Sequence, residues 1–253
     1  MYSTTQSVHK STFKAQFTET IENIINFLKN PNRPETFADM TIKEFLKLLL
    51  ITFLAIVPLG LLLHLFDIEQ FDHKIEALIQ NHLWLLVFAG IFIAPLLEEP
   101  VYRLHQNLKY KSIAWSFGLS FLLIHDTWYP LIVFWVYLAY LFIQLNQGKQ
   151  PSLKMVIWVS SILFGLVHMG NYTDFDYSKY FYLVPFLVGI QILLGLILSY
   201  VRLTYGMKWA IFFPWRLQCH LIDSFGDFLR TIKKLKKFLS CCFSARSKTN
   251  LVS

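Results

Sequence analysis

Charge is scarce in this chain. Asp, Glu, Lys and Arg make up only 15% of its 253 residues, against 55% hydrophobic residues. Mean hydropathy is +0.46. A soluble domain carries about 25% charged residues, so this composition excludes an ordinary water-facing globule and calls for the bilayer as the outer solvent. Cysteine is scarcer still. Cys219 and the vicinal pair Cys241 and Cys242 are the only three, which excludes a disulfide framework and a Cys-based zinc site. No His-Glu-x-x-His is present, so a zincin site is excluded. A P-loop and a nucleophile-elbow Ser are also missing. No zinc-finger, RRM or other nucleic-acid module is present, and no nucleic-acid partner is expected. Internal repeats and low-complexity segments are absent. Residues 1–42 are polar and lead into Asn30-Pro31-Asn32-Arg33-Pro34, which reads as a linker, with no cleavable signal peptide.

What the chain has in abundance is long apolar runs. Span candidates lie at 45–66, 83–104, 112–125, 130–146, 155–171 and 181–203. A span takes about 20 residues. The third and fourth are short and read together as a helical hairpin turning at Asp126 and Thr127. Residues 209–223 are a weaker candidate, interrupted by Pro214 and Arg216. The expectation is an all-α, polytopic membrane helical bundle of about six to eight transmembrane helices. Its parts are a cytoplasmic N-terminal extension at 1–42, a membrane domain at 43–225 and a basic amphipathic cytoplasmic tail at 226–253.

The loops alternate in charge. Residues 67–76 are acidic, 103–111 carry Arg103, Lys109 and Lys111, 147–154 carry Lys149 and Lys154, and 172–180 are again acidic. From Phe225 onward seven Lys and Arg stand against Asp227, a net +6 of the chain's +7. Basic segments beside spans face the cytoplasm and anionic lipid, so six spans with both ends inside fit. A full seventh span at 209–223 would put the tail outside. On this topology Glu98 lies near the cytoplasmic end of its helix and His168 near the outer end of its own. They meet only if the helices slide against these boundaries or enclose a water-filled cavity.

Two segments carry chemistry. Glu98-Glu99-Pro100-Val101-Tyr102-Arg103 follows an apolar run, and adjacent carboxylates there are costly in a membrane. Glu99 and Arg103 are four apart on one helix face and can pair. Glu98 points about 100° away and stays free as a base. A helix end at the interface with solvated charges is the plainer alternative. The second segment is Ser160-Ser161-Ile162-Leu163-Phe164-Gly165-Leu166-Val167-His168-Met169-Gly170-Asn171. Phe164 and His168 share a face, and Ser160, Ser161 and Gly165 let a neighbouring helix come close. A lone His is more often a structural hydrogen-bonder than a catalyst. His64, His73, His82 and His105 sit at span ends and read as interfacial.

Together these segments resemble the CPBP family, which includes the CAAX prenyl endopeptidases and the Abi-type membrane proteins. The family's EExxxR is met by Glu98, Glu99 and Arg103, and its FxxxH by Phe164 and His168. Phe121 and His125 also fit FxxxH, but without the Ser-Ser setting. The resemblance runs from about residue 83 to 225. The family's last motif, HxxxN after a Gly-x-x-Trp-Ala-like start, is degraded. After Gly206-Met207-Lys208-Trp209-Ala210, Pro214 and Gln218 stand at the His and Asn places, and His220 lies six residues beyond the expected His. Six residues is about 9 Å along a helix.

The resemblance implies an intramembrane protease acting on a membrane-associated protein or peptide, of which a prenylated CAAX protein is one kind. Glu98 or Glu99 would be the general base on a water, Arg103 would hold the second carboxylate, and His168 would orient the water or stabilise the oxyanion. Asn171 would add a hydrogen bond, and His220 would stand in for the late His. A metal-free glutamate mechanism and a divalent metal such as zinc are both open. The implied location is integral to a membrane, the bacterial inner membrane. The alternative is a catalytically inactive member acting as a membrane scaffold or immunity-type partner.

Overall fold

The computed structural model describes residues 13–64, 88–124, 129–172 and 175–217. Their regular elements are all helices, with no strand among them. Helix α1 is Phe13–Lys29 and α2 is Ile42–His64. A π-helical turn at Ala89–Ile93 runs into α3, Ala94–Arg103, which tightens into a 3-10 turn at Leu104–Asn107. Helix α4 is Tyr110–Ser120, followed by a 3-10 turn at Phe121–Leu123. Helix α5 is Tyr129–Asn146. Helix α6, Leu153–Val167, ends in a 3-10 turn at His168–Asn171. The short α7, Tyr177–Tyr180, leads through Phe181–Leu183 into α8, Val184–Tyr205. Residues 207–217 form α9.

Four segments are long and apolar enough to cross a membrane: Ile42–Leu62, Tyr129–Asn146, Leu153–Asn171 and Tyr177–Tyr205. The chain is therefore all-α with the character of an integral membrane protein. Of the remaining span candidates, 112–125 is described almost throughout and is short, as expected of one arm of a hairpin. The segment 112–125 is an eleven-residue helix with one 3-10 turn, roughly 22 Å at the rises of those helices, too short for a hydrocarbon core of about 30 Å. It still packs against α5 as a hairpin. Trp135 stacks on Phe121 at 4.9 Å, and its Nε1 donates to Ser120 Oγ at 2.7 Å. The start of 83–104, the hairpin turn, residues 218–223 and the basic tail lie outside the described residues.

Small residues set the tightest contact, between α6 and α8. A Cβ on Gly165 would stand 2.5 Å from Ile192 Cγ1 and 3.1 Å from the Val188 carbonyl. One on Gly195 would stand 3.0 Å from Ser161 Cβ and 3.3 Å from Arg103 Nη2. Two helices approach this closely only where side chains are missing.

The N-terminal extension contains more than a linker. Residues Phe13, Phe17, Thr20, Ile24 and Phe27 recur at three- and four-residue steps in α1, and Thr20, Ile24 and Phe27 are buried. The Phe27 ring meets Tyr200 of α8 edge-on at 5.3 Å. After α1 the chain crosses one end of the bundle. Arg33 Nη1 donates to the Asn107 carbonyl at 2.7 Å, the Ala38 N–H donates to the Thr204 carbonyl at 2.9 Å, and Phe37 lies under the Arg202 guanidinium at 5.5 Å.

Candidate functional site

Helix α3 carries the acidic pair, and its neighbours fix its depth. It runs antiparallel to α6, one turn against one turn. Near one end, Gln106 Nε2 lies 3.5 Å from Ser160 Oγ and donates to Ser199 Oγ of α8 at 2.8 Å. Ser160 Oγ donates to the Tyr102 carbonyl. One turn on, the Tyr102 and Phe164 rings meet at 5.3 Å. One turn further, Glu98 and His168 line the same cavity. The buried helical segment thus runs on past Arg103 to Asn107. Leu108, buried and in the left-handed region at φ 54°, then stops it and donates its N–H to the His105 carbonyl at 2.9 Å.

This corrects the loop-charge reading. Arg103 is 0% exposed and belongs to the interior, not to a cytoplasmic loop. With the helix end moved to Asn107, Glu98 lies roughly 14 Å inside it at 1.5 Å per residue, and its meeting with His168 needs no sliding. His105 is a second correction. It is fully buried, not interfacial. Its Nδ1 faces the Val101 carbonyl at 3.3 Å and Ser116 Oγ at 3.4 Å, and its Nε2 faces the Tyr137 hydroxyl at 3.3 Å. With ring contacts to Phe134 and Tyr137, it ties α3 to α4 and α5 as a core residue.

The two carboxylates part as their spacing demands. Glu99 is 1% exposed, and its Oε2 lies 3.6 Å from Arg103 Nε. Arg103 Nη1 reaches the Tyr102 carbonyl at 3.3 Å, and its guanidinium carbon lies 4.7 Å from the centre of the Phe164 ring. Phe164 also meets His168, edge to face at 4.8 Å. Glu98 instead faces a cavity of about 290 Å³, lined with it by Leu122, Leu123, Ile124, Val167, His168 and Asn171. His168 Nδ1 is 2.7 Å from the Phe164 carbonyl.

Of the expected site residues, Glu98, His168 and Asn171 come together on the cavity. Glu99 and Arg103 form an ion pair beside it. His220 lies outside the described residues, as does His125. No described residue of α9 lines the cavity. Helix α9 packs elsewhere: Phe213 and Leu217 join the core with Phe45 and Leu48 of α2. Among the described residues no three His, Cys, Asp or Glu are grouped as metal ligands. The apolar wall of Leu122, Leu123 and Ile124 was not expected at the site. The segment read only as one arm of a helical hairpin, and no motif marks these three as lining anything. Comparison with protein-family models, curated proteins and solved structures returns no match to this chain.

Proposed function

We propose that this chain is an intramembrane endopeptidase similar to the CPBP family, hydrolysing a peptide bond in a membrane-associated substrate with a Glu-activated water. The observation that carries this reading is the convergence of Glu98, His168 and Asn171 on one cavity beside a buried Glu99–Arg103 pair. An ion pair of this kind consumes one carboxylate of the two and leaves the other for chemistry. Glu98 takes a proton from a water whose oxygen attacks the scissile carbonyl carbon. The carbonyl π electrons move to its oxygen. When the tetrahedral species collapses, the carbonyl reforms, the C–N bond breaks and Glu98 returns the proton to the leaving nitrogen. Leu122, Leu123 and Ile124 keep bulk water from the cavity's other wall. In this reading the bundle has about six to eight spans, sits in a bacterial inner membrane and keeps its basic tail on the cytoplasmic side.

Reconstitution of the full chain in lipid vesicles with lipid-anchored peptide libraries tests it, with new termini read by mass spectrometry. Glu98→Gln and His168→Ala are each expected to lower cleavage by at least about 100-fold, the scale of general-base loss. Cleavage by Glu98→Gln at the parent rate would refute the reading. A second reading, a non-catalytic scaffold binding another membrane protein, rests on Pro214 at the late-motif His place and on the packing of α9 away from the cavity. It predicts that both variants keep the cellular phenotype.

A further inference from the structure

The resemblance leaves His168 two roles, to orient the water or to stabilise the oxyanion, and the geometry of the cavity separates them. We infer that the side-chain amide of Asn171 is the hydrogen-bond donor to the oxyanion, and that His168 acts on the water as an acceptor. This assignment rests on the proteolytic reading above and names the residue roles within it.

Three observations lead to it. First, α6 does not continue as an α-helix through His168 but tightens to a 3-10 turn over His168–Asn171. At three residues per turn, positions i and i+3 eclipse, so His168 and Asn171 project to one side, and both line the cavity with Glu98. Second, the tautomer of His168 is determined by its partner. The Phe164 carbonyl can only accept, so Nδ1, 2.7 Å away, carries the hydrogen. In the neutral ring Nε2 is then a lone-pair acceptor. It can hold a hydrogen of the attacking water and cannot donate to an oxyanion. Third, a donor is still required. Glu98 is acceptor-only when it acts as base, and the other described lining residues, Leu122, Leu123, Ile124 and Val167, have no polar side chain. Among the described residues on the cavity, the Asn171 Nδ2 group, with two N–H donors, is the neutral donor side chain not already engaged by a backbone carbonyl. Among the described residues it makes no other side-chain hydrogen bond.

The sequence of events is then complete. Glu98 takes one proton of the water, while His168 Nε2 accepts a hydrogen bond from the O–H that the water keeps. Its oxygen attacks the carbonyl carbon, Asn171 donates to the oxygen that gains the electron pair, and Glu98 passes its proton to the departing nitrogen.

The experiment uses the full chain in lipid vesicles with a quenched fluorescent apolar peptide bearing a lipid anchor. Asn171→Ala and the isosteric Asn171→Asp are expected to lower kcat about 100- to 1,000-fold, the loss typical of one oxyanion donor, with KM within about twofold. Asn171→Gln, which keeps the amide, is expected to regain part of kcat. Retention of the parent helical circular dichroism by Asn171→Asp separates the effect from misfolding. Nitrogen NMR of labelled histidine, assigned by loss of the signal in His168→Gln, is expected to show an unprotonated Nε2. If Asn171→Ala keeps kcat within about threefold while Glu98→Gln abolishes cleavage, this inference fails and the protease reading stands. A protonated Nε2 overturns the role given to His168. Cleavage that is absent in the parent, or unaffected by Glu98→Gln, sinks the protease reading and this inference with it.

Discussion

Replacing Arg103 with Met removes one partner of the Glu99 ion pair and leaves a buried carboxylate alone. The side chains of the pair are 0% and 2% exposed, so no solvent screening offsets the loss. At 3.6 Å and an effective dielectric near 20, the attraction is about 4.6 kcal/mol. Measured losses on breaking a buried pair from one side run to about 3–5 kcal/mol, and Arg103→Met is expected in that range. Part of it is the cation–π contact with Phe164 at 4.7 Å, worth up to about 2 kcal/mol when desolvated. The double variant Glu99→Gln with Arg103→Met loses that contact too but leaves no orphan charge. It is expected to be more stable than Arg103→Met alone, with a coupling energy of at least about 2 kcal/mol. The assay is unfolding in mixed detergent micelles, titrated with SDS and followed by tryptophan fluorescence. A coupling below about 0.5 kcal/mol, within ordinary additivity, would show that the two residues do not depend on each other, and the separation of Glu98 from Glu99 would lose its cause.

Two further outcomes are expected. Gly165→Ala should cost about 1–3 kcal/mol in the same titration, because its Cβ meets the fixed Val188 carbonyl as well as Ile192. An Ile192→Val background should recover part of this, and an unchanged midpoint for Gly165→Ala would contradict the close packing of α6 on α8. Asp176 caps α7. Its carboxylate is held below the usual range, first by the Ser178 hydroxyl and then by the Ser178 and Lys179 N–H groups. A depressed folded value means that its contribution is present above the ordinary Asp pKa and lost as pH falls through the depressed one. Hydrogen exchange at Tyr180, whose N–H donates to the Asp176 carbonyl, should therefore accelerate on acidification in the parent and be insensitive to acid in Asp176→Ala. Equal acid sensitivity in both would refute the cap.

The local features of the site were legible because they are matters of helical spacing. Glu99 and Arg103 pair because they are four apart, Glu98 faces away because it is one residue off, and Ser161 and Gly165 mark the face that α8 approaches. His105 shows where such spacing stops. Its first partner, Val101, is four residues back, but the burial that decides its role comes from Ser116, Phe134 and Tyr137 on two other helices. Arg103 was misplaced as a loop charge for a related reason: a charge count weighs every Lys and Arg alike, and only packing reveals that this one is paired inside. The α1 stripe of Phe13, Phe17, Ile24 and Phe27 was readable and went unread because the extension is polar on average. The wall of Leu122, Leu123 and Ile124 had no such signal, since any apolar triplet in a membrane protein looks the same until its neighbours are known.

The crossing segment between α1 and α2 bears on how this protein is made. Ala38 bonds to Thr204, Phe37 covers Arg202, and Phe27 rests on Tyr200, so the first described helix is held by the end of α8. These are contacts between opposite ends of the described chain, and a ribosome delivers those ends far apart in time. Helix α1 can meet α2 early, but its seat on α8 is completed only after α8 has been synthesised and inserted. Truncation before α8 leaves α1 with only its packing on α2, and Tyr200 and Thr204 supply the contacts that complete the bundle at this end.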